Sequence, residues 1–173
     1  MSIYLIDTET TGLKDPQVIQ LAWIRLTFNE GYIVEDGTFN RFYRPSKEIE
    51  LGALCTHHIS LMDLVDCDSS DTAKLPADAE YIIGHNVDFD WKALGQPNVK
   101  RICTQALARN LWPNLDSHRL GACLYHINPE DAKAMLKNAH DAEADCCACL
   151  SLLFNIVDRL EATGLAANTA ERL

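Results

Sequence analysis

The stretch SIYLIDTETTGL, residues 2–13, runs apolar through Ile3, Tyr4, Leu5 and Ile6 and then meets two carboxylates, Asp7 and Glu9, one residue apart. Consecutive β-prone side chains followed by the Thr10, Thr11, Gly12 turn signal read as a short, largely buried strand. Side chains alternate faces along a strand, so Asp7 and Glu9 point the same way, a few ångströms apart. Two ionised carboxylates so placed repel each other, the more so when partly buried. Either one holds a proton or a cation lies between them. At an exposed strand end the same pair would be ordinary solvated acids, and the stretch by itself leaves both readings open.

Outward from this strand, VIQLAWIRLTF (18–28) and TFNRFYRP (38–45) have the composition of further strands, with NEGYIVEDG (29–37) as a hairpin-like connection. Residues 46–66 look helical but irregular, and DCDSSDTAKLPADAE (66–80) reads as a polar loop. EYIIGHN (80–86) is a second short buried strand ending in polar residues. A helix follows over 88–94, which Asn86 or Asp88 would cap. VKRICT is another strand, QALARNLW a helix halted by Pro113, and 117–127 a further helix. In HDAEADCCACLSLLFNIVDRLEATG, apolar side chains recur at Ala142, Cys146, Cys149, Leu150, Leu153, Val157 and Leu160. That is helical spacing, closed by Gly164. Strands first, then strands alternating with helices, predict an α/β fold: a mixed sheet covered by helices.

A chain of 173 residues with no Pro/Gly/Ser-rich linker, repeat or low-complexity block fits one domain with a real core. No apolar run approaches the roughly 20 residues that cross a bilayer, and the N-terminus leads straight into a strand, so neither a membrane span nor a signal peptide is expected. The seven cysteines have no framework spacing, which suits a reducing cytosol. Cys146 and Cys149 form a CxxC, but without a second pair and within a helical run they read as small buried thiols rather than zinc ligands. The net charge of −10 argues against an indiscriminate nucleic-acid coat. Its distribution is uneven. Residues 92–137 carry seven positive side chains (Lys92, Lys100, Arg101, Arg109, Arg119, Lys133 and Lys137) against three acids. The acids at 63–80 lack the glycine and closing glutamate of a calcium loop and read as solvated surface.

Two other segments repeat the oddity of the first. In GHNVDFDW, Asp90 falls on the first turn of the helix leaving a buried strand. In HDAEAD, Asp145 falls on the first turn of the last helix, with His140 just before it. Four carboxylates at element ends would meet at one sheet edge, and such a cluster cannot stay ionised without divalent cations; all-oxygen ligation suits Mg²⁺ or Mn²⁺ better than zinc. The three motifs DTETTGL, HNVDFD and HDAEAD, in this order and separation, resemble those of the DEDD superfamily of 3′-to-5′ exonucleases in its His-containing branch. The likeness covers about residues 3–150, and RICTQALARNLWP adds to it toward the bacterial exodeoxyribonucleases of that branch.

That resemblance implies a ribonuclease H-like fold, with an exonuclease domain over 1–164 and a tail over 165–173. It implies that Asp7, Glu9, Asp90 and Asp145 hold two Mg²⁺ ions, with Mn²⁺ a substitute, and that His140 is the general base. Chemically, one ion acidifies the attacking water, the other stabilises the departing 3′-oxygen, and an imidazole titrates near neutrality. The turn Thr10, Thr11, Gly12, Leu13 is then the holder of the 3′-terminal nucleotide, with Leu13 against the base and Asn86 a further substrate contact or merely a cap. The expected partner is nucleic acid with a free 3′ end, DNA favoured over RNA, releasing 5′-mononucleotides; the oligomeric state is open.

Other residues carry plainer readings. His85 satisfies local backbone groups, Trp23 is core, Phe89 is core in preference to a stacking surface, and Trp91 and Trp112 are core or partial stacking platforms. His57, His58, His118 and His126 have no acidic neighbours at ligand spacing and are assigned no chemistry. Cys103 stands where relatives often have aspartate, at a position outside the ligand set. The rival functions are an oligoribonuclease or RNA-trimming nuclease of the same branch, a proofreading or scaffold module acting by partner binding, and an inactive relative that only binds nucleic acid.

Overall fold

The computed structural model describes residues 1–29 and 32–162. Its strands are β1 (Ile3–Thr10), β2 (Val18–Asn29), β3 (Tyr32–Arg44), β4 (Asp68–Ser69), β5 (Tyr81–Gly84) and β6 (Lys100–Cys103). They form one mixed sheet in the order β4-β3-β2-β1-β5-β6. The helices are α1 (Leu51–His57), α2 (Asp88–Ala93), α3 (Thr104–Leu111), α4 (Leu120–Ile127), α5 (Pro129–Met135) and α6 (Ala142–Ala162). Strands β1 to β3 run antiparallel as a meander, and β5 and β6 are added parallel to β1. This is the α/β arrangement with helix-covered sheet expected above, the ribonuclease H-like fold.

Strand β1 is central and covered on both faces, which is why it is apolar without alternation. On one face Ile3 and Leu5 pack with Ala22, Ile24, Leu26 and Ile83 beneath Cys146, Cys149, Leu150 and Leu153 of α6. On the other, Tyr4 and Ile6 pack with Ile82 and Val87. By the two-residue period Asp7 and Glu9 continue the row of Ile3 and Leu5, and so lie on the α6 face. Ala148, Leu152 and Ile156 turn the opposite side of α6 onto Ala108, Cys123, Leu124 and Ala132. The helix is therefore wedged between sheet and helices, and its N-terminus is fixed against the end of β1.

Several elements differ from the sequence reading. Strand β1 does not stop at Ile6 but continues through the acids to Thr10, because β2 keeps pairing with it as far as Val18, past a bulge between Glu9 and Thr10. Most of the expected connection at 29–37 is strand: β3 starts at Tyr32, paired with Asn29, and residues 30 and 31 lie outside the described residues. The segment 66–80 is not all loop, since Asp68–Ser69 pairs with Tyr43 and Arg44 and a 3₁₀ turn follows at Ser70–Thr72. Its acids are nevertheless exposed, as expected of a solvated surface. Helix α5 was missed although Asn128 caps it, accepting from the N–H groups of Glu130 and Asp131, and Pro129 opens it. Neither Asn86 nor Asp88 caps α2; Val87 is the cap residue, and Asn86 is left-handed at φ 68°. Gly164 and the tail at 165–173 lie outside the described residues.

The cysteine pair is core. Cys146 and Cys149 are buried against the sheet; the Cys149 thiol lies 3.5 Å from the Thr104 hydroxyl, and burial pushes its pKa up to about 12. A thiol held neutral in this way is the opposite of a metal-binding thiolate. Among the described residues no helix is long and apolar enough to cross a membrane.

Candidate active site

The ends of β1, α2 and α6 converge. Asp7 and Glu9 come from β1, Asp90 from the first turn of α2, and Asp145 from the first turn of α6. Asp90, 4% exposed, is locked by one carboxylate oxygen, which accepts from the Thr8 backbone N–H at 3.0 Å and the Thr8 hydroxyl at 2.7 Å. Because Thr8 stands between Asp7 and Glu9, this clamp ties α2 to the strand between the paired acids. Ligand atoms of Glu9, Asp145 and His140 lie within 4.8 Å of one another. His140 is left-handed at φ 68°, and its backbone N–H donates to Asp145 at 3.2 Å, which turns the loop back on the helix it precedes.

Electrostatics match the crowding. Burial, then Asp90, Asp145, Glu9 and Asp141, push the Asp7 carboxyl well above its usual range. Burial, then Asp145, Asp90 and Asp141, push Glu9 up to about 8. Burial pushes Asp90 to about 7 against the lowering effect of the Thr8 hydrogen bonds, and burial also raises Asp145. No Lys or Arg forms an ion pair with any of these acids among the described residues. A set of partly to fully buried oxygen donors with no basic partner fits a hard divalent cation.

These shifts have a sign. A carboxyl with a raised folded-state pKa contributes stability that is fully present below its unfolded value and is lost as pH rises through the folded value. For Asp90 and Glu9 that window runs from the ordinary carboxyl range to about 7 and about 8. The chain in chelator is expected to melt at lower temperature at pH 8.5 than at pH 7, a range chosen above the titration of His57 and His85, whose pKa values are lowered by burial. Saturating Mg²⁺ should return roughly 5–10 °C at pH 8.5, since a ligand at 100 times its Kd contributes about 2.7 kcal/mol. Melting curves at both pH values, with Mg²⁺ and with chelator, check this; a flat response to both contradicts the crowding.

Beside the acids opens a cleft of about 320 Å³ lined by Thr8, Glu9, Thr10, Gly12 and Leu13 on one side and by Glu50, Gly52, Ala53, Thr56, His57 and Phe89 on the other. Its size is that of a small-ligand site. The turn after β1 is tightly held: Thr11 accepts from Glu50 N–H at 2.8 Å, and its own N–H donates to Gln17 at 2.9 Å. Glu50 folds over Gly12, where a Cβ would collide with it. Of the expected substrate contacts, Thr10, Gly12 and Leu13 line the cleft, and Leu13 is 84% exposed at its mouth. Thr11 is buried in the turn and Asn86 is exposed outside the cleft lining.

Two further residues of the lining are Phe89 and His57. Phe89 belongs to no core cluster and faces the cleft, because the short α2 buries only Asp90. His57, assigned no chemistry, is buried at the cleft wall. Its Nδ1 accepts from Ile59 N–H at 2.9 Å, while its Nε2 has no hydrogen-bond partner among the described residues. His85 follows expectation, bridging the His118 carbonyl at 2.8 Å and the Thr104 hydroxyl at 3.0 Å. Trp91 donates to the Pro97 carbonyl and carries Arg101 on its ring, and Trp112 packs edge-on to His126.

A helix-covered mixed sheet whose central strand carries paired acids, with Glu9 lining such a cleft, is the frame of an exonuclease domain, and the family match gives the class. The chain belongs to the RNase_T exonuclease family, whose model matches residues 4–153. Exodeoxyribonuclease 10 of Escherichia coli (strain K12) is 28% identical over 158 residues, 89% of this chain and 68% of that protein. The structure of Exonuclease X in complex with 5′ overhanging duplex DNA aligns with a TM-score of 0.67 at 27% identity, covering 94% of this chain and 93% of that one. E. coli Exonuclease I in complex with a dT13 oligonucleotide shares the fold, with a TM-score of 0.70 at 20% identity over 94% of this chain and 42% of that one.

Proposed function

We propose that the chain removes 5′-mononucleotides from the 3′ end of DNA, using Asp7, Glu9, Asp90 and Asp145 to hold two divalent cations, Mg²⁺ by preference, and His140 as general base. The observation that carries this is the crowding of the four acids, with one imidazole beside Glu9 and Asp145, next to a small cleft that Glu9 lines. The similarity to an exodeoxyribonuclease and to a DNA-bound exonuclease supports DNA as substrate. When bound, the cations supply an acidified water, countercharge for the phosphate and stabilisation of the leaving 3′-oxygen.

The residues do the rest. His140, at the rim with Glu9 and Asp145, accepts the proton of the attacking water on its ring nitrogen. The Thr8 clamp keeps Asp90 from rotating away from the other acids. The turn 10–13 and the wall of Ala53, His57 and Phe89 accept one terminal nucleoside, and a site of this size admits an end more readily than a continuing strand. Phe89 stacks on the terminal base. Phe89→Ala is expected to raise KM roughly tenfold with kcat nearly unchanged, the loss of one base-stacking contact, as steady-state kinetics would show.

The decisive test is incubation with 5′- and 3′-labelled single-stranded DNA, duplex DNA and RNA, with Mg²⁺ and with chelator. Stepwise shortening of 5′-labelled DNA and early mononucleotide from 3′-labelled DNA, both abolished by chelator, are expected. Faster turnover of RNA would move the assignment to the RNA-trimming alternative, and no hydrolysis of any substrate would overturn it.

A further inference from the structure

Gln20 is a fully buried amide near the start of β2, flanked in sequence by the equally buried Ile19 and Leu21. An unpaired amide in such a place costs several kcal/mol, so its hydrogen bonds show what it is for. Its Nε2 donates to Asp141 Oδ2 at 2.9 Å and to Asn40 Oδ1 at 3.1 Å, and its Oε1 accepts from the Ala142 N–H at 3.2 Å. The amide thus holds both residues that follow His140. It also stands directly across from Glu9 in the β1–β2 pairing, so one side chain connects the acid-bearing strand to the loop that carries the imidazole.

Helix capping accounts for only part of this link: Gln20 Oε1 satisfies the first N–H of α6, but the bond to Asp141 lies outside the cap. Asp141 caps α6 with its other oxygen, Oδ1, which accepts from the Glu143 and Ala144 N–H groups at 3.1 Å each. Oδ2, left over from the cap, is the atom that Gln20 takes. The loop has something to hold: His140 is left-handed, a conformation that costs a non-glycine residue roughly 1–2 kcal/mol and persists only where neighbours enforce it. Asn40 extends the brace, donating to Glu143 Oε2 at 2.9 Å.

We propose that Gln20 is a positioning residue for His140, acting through Asp141 and Ala142 to keep the imidazole beside Glu9 and Asp145. The proposal rests on the reading of His140 as general base. A general base displaced by about 1 Å loses on the order of 10²-fold in rate while ground-state binding is unaffected.

The test is a double-mutant cycle of wild type, Gln20→Met, His140→Ala and the double variant, on 5′-labelled single-stranded DNA with Mg²⁺, reading kcat, KM and melting temperature. Gln20→Met keeps charge and length and removes the donors. It is expected to lower kcat roughly 10- to 100-fold with KM within about twofold, and to cost less than about threefold further in the His140→Ala background. If Gln20→Met does not fold, Asp141→Asn runs the same cycle, since it keeps the cap oxygen but turns an amide toward the Gln20 amide. An active wild type and an impaired His140→Ala, with the Gln20 or Asp141 change harmless or equally harmful in both backgrounds, overturn the proposal alone. An inactive wild type, or His140→Ala as active as wild type, overturns the reading beneath it and the proposal together.

Discussion

Asp7→Asn is expected to abolish cation-dependent release of mononucleotides, with the rate falling about 10³-fold or more, while making the protein harder to melt in chelator at pH 8.5. Both effects have one cause. Asp7 is pushed well above its ordinary range by burial and by Asp90, Asp145 and Glu9, so its ionised form is costly to the fold and valuable only as a ligand. Removing the charge relieves that repulsion and with it the reason a cation binds; several kcal/mol of transition-state stabilisation correspond to the rate loss. Rates with Mg²⁺ and melting curves in chelator measure the two effects. A variant that is inactive and also less stable would mean that Asp7 serves the fold, and one with wild-type turnover would remove it from the site.

His140→Ala is expected to lower kcat by roughly 10² to 10⁴, the usual contribution of a positioned general base, with KM little changed. The shape of the pH–rate profile should change as well, because the group that accepts the proton is gone. The imidazole is close enough to Glu9 and Asp145 to act as a ligand instead, and the two roles separate cleanly. Loss of a ligand raises the Mg²⁺ concentration at half-maximal rate and is offset by excess Mg²⁺, whereas loss of a base is not. A variant with the wild-type pH profile would assign the proton to another group.

The acids were legible because each combines a local pattern with an element end. Asp7 and Glu9 share a face by strand periodicity, and Asp90 and Asp145 fall on first turns after recognisable boundaries. The wall opposite them was not. Phe89 sits in a helix of six residues, too short for an apolar side chain to declare which face it occupies. His57 gains its place from tertiary folding: α1 ends at a left-handed His58 whose N–H returns to Leu54, and that hook sets His57 against the cleft. Gln20 carries no sequence signal of its place, since its partners Asp141 and Ala142 lie far along the chain. Helix α5 could have been found from Asn128 followed by Pro129, a start signal that was overlooked. The pairing of Asp68 and Ser69 with β3 had no sequence signal at all.

The wedging of α6 between sheet and helices has a consequence for biosynthesis. Three of the five residues, Asp7, Glu9 and Asp90, are made before His140 and Asp145, which leave the ribosome with α6 and reach the first strand by a contact of very high sequence separation. A nascent polypeptide stalled before that helix holds uncovered apolar sheet and no complete hydrolytic centre. Docking of α6 therefore completes the core and brings His140 and Asp145 to Glu9 in a single event.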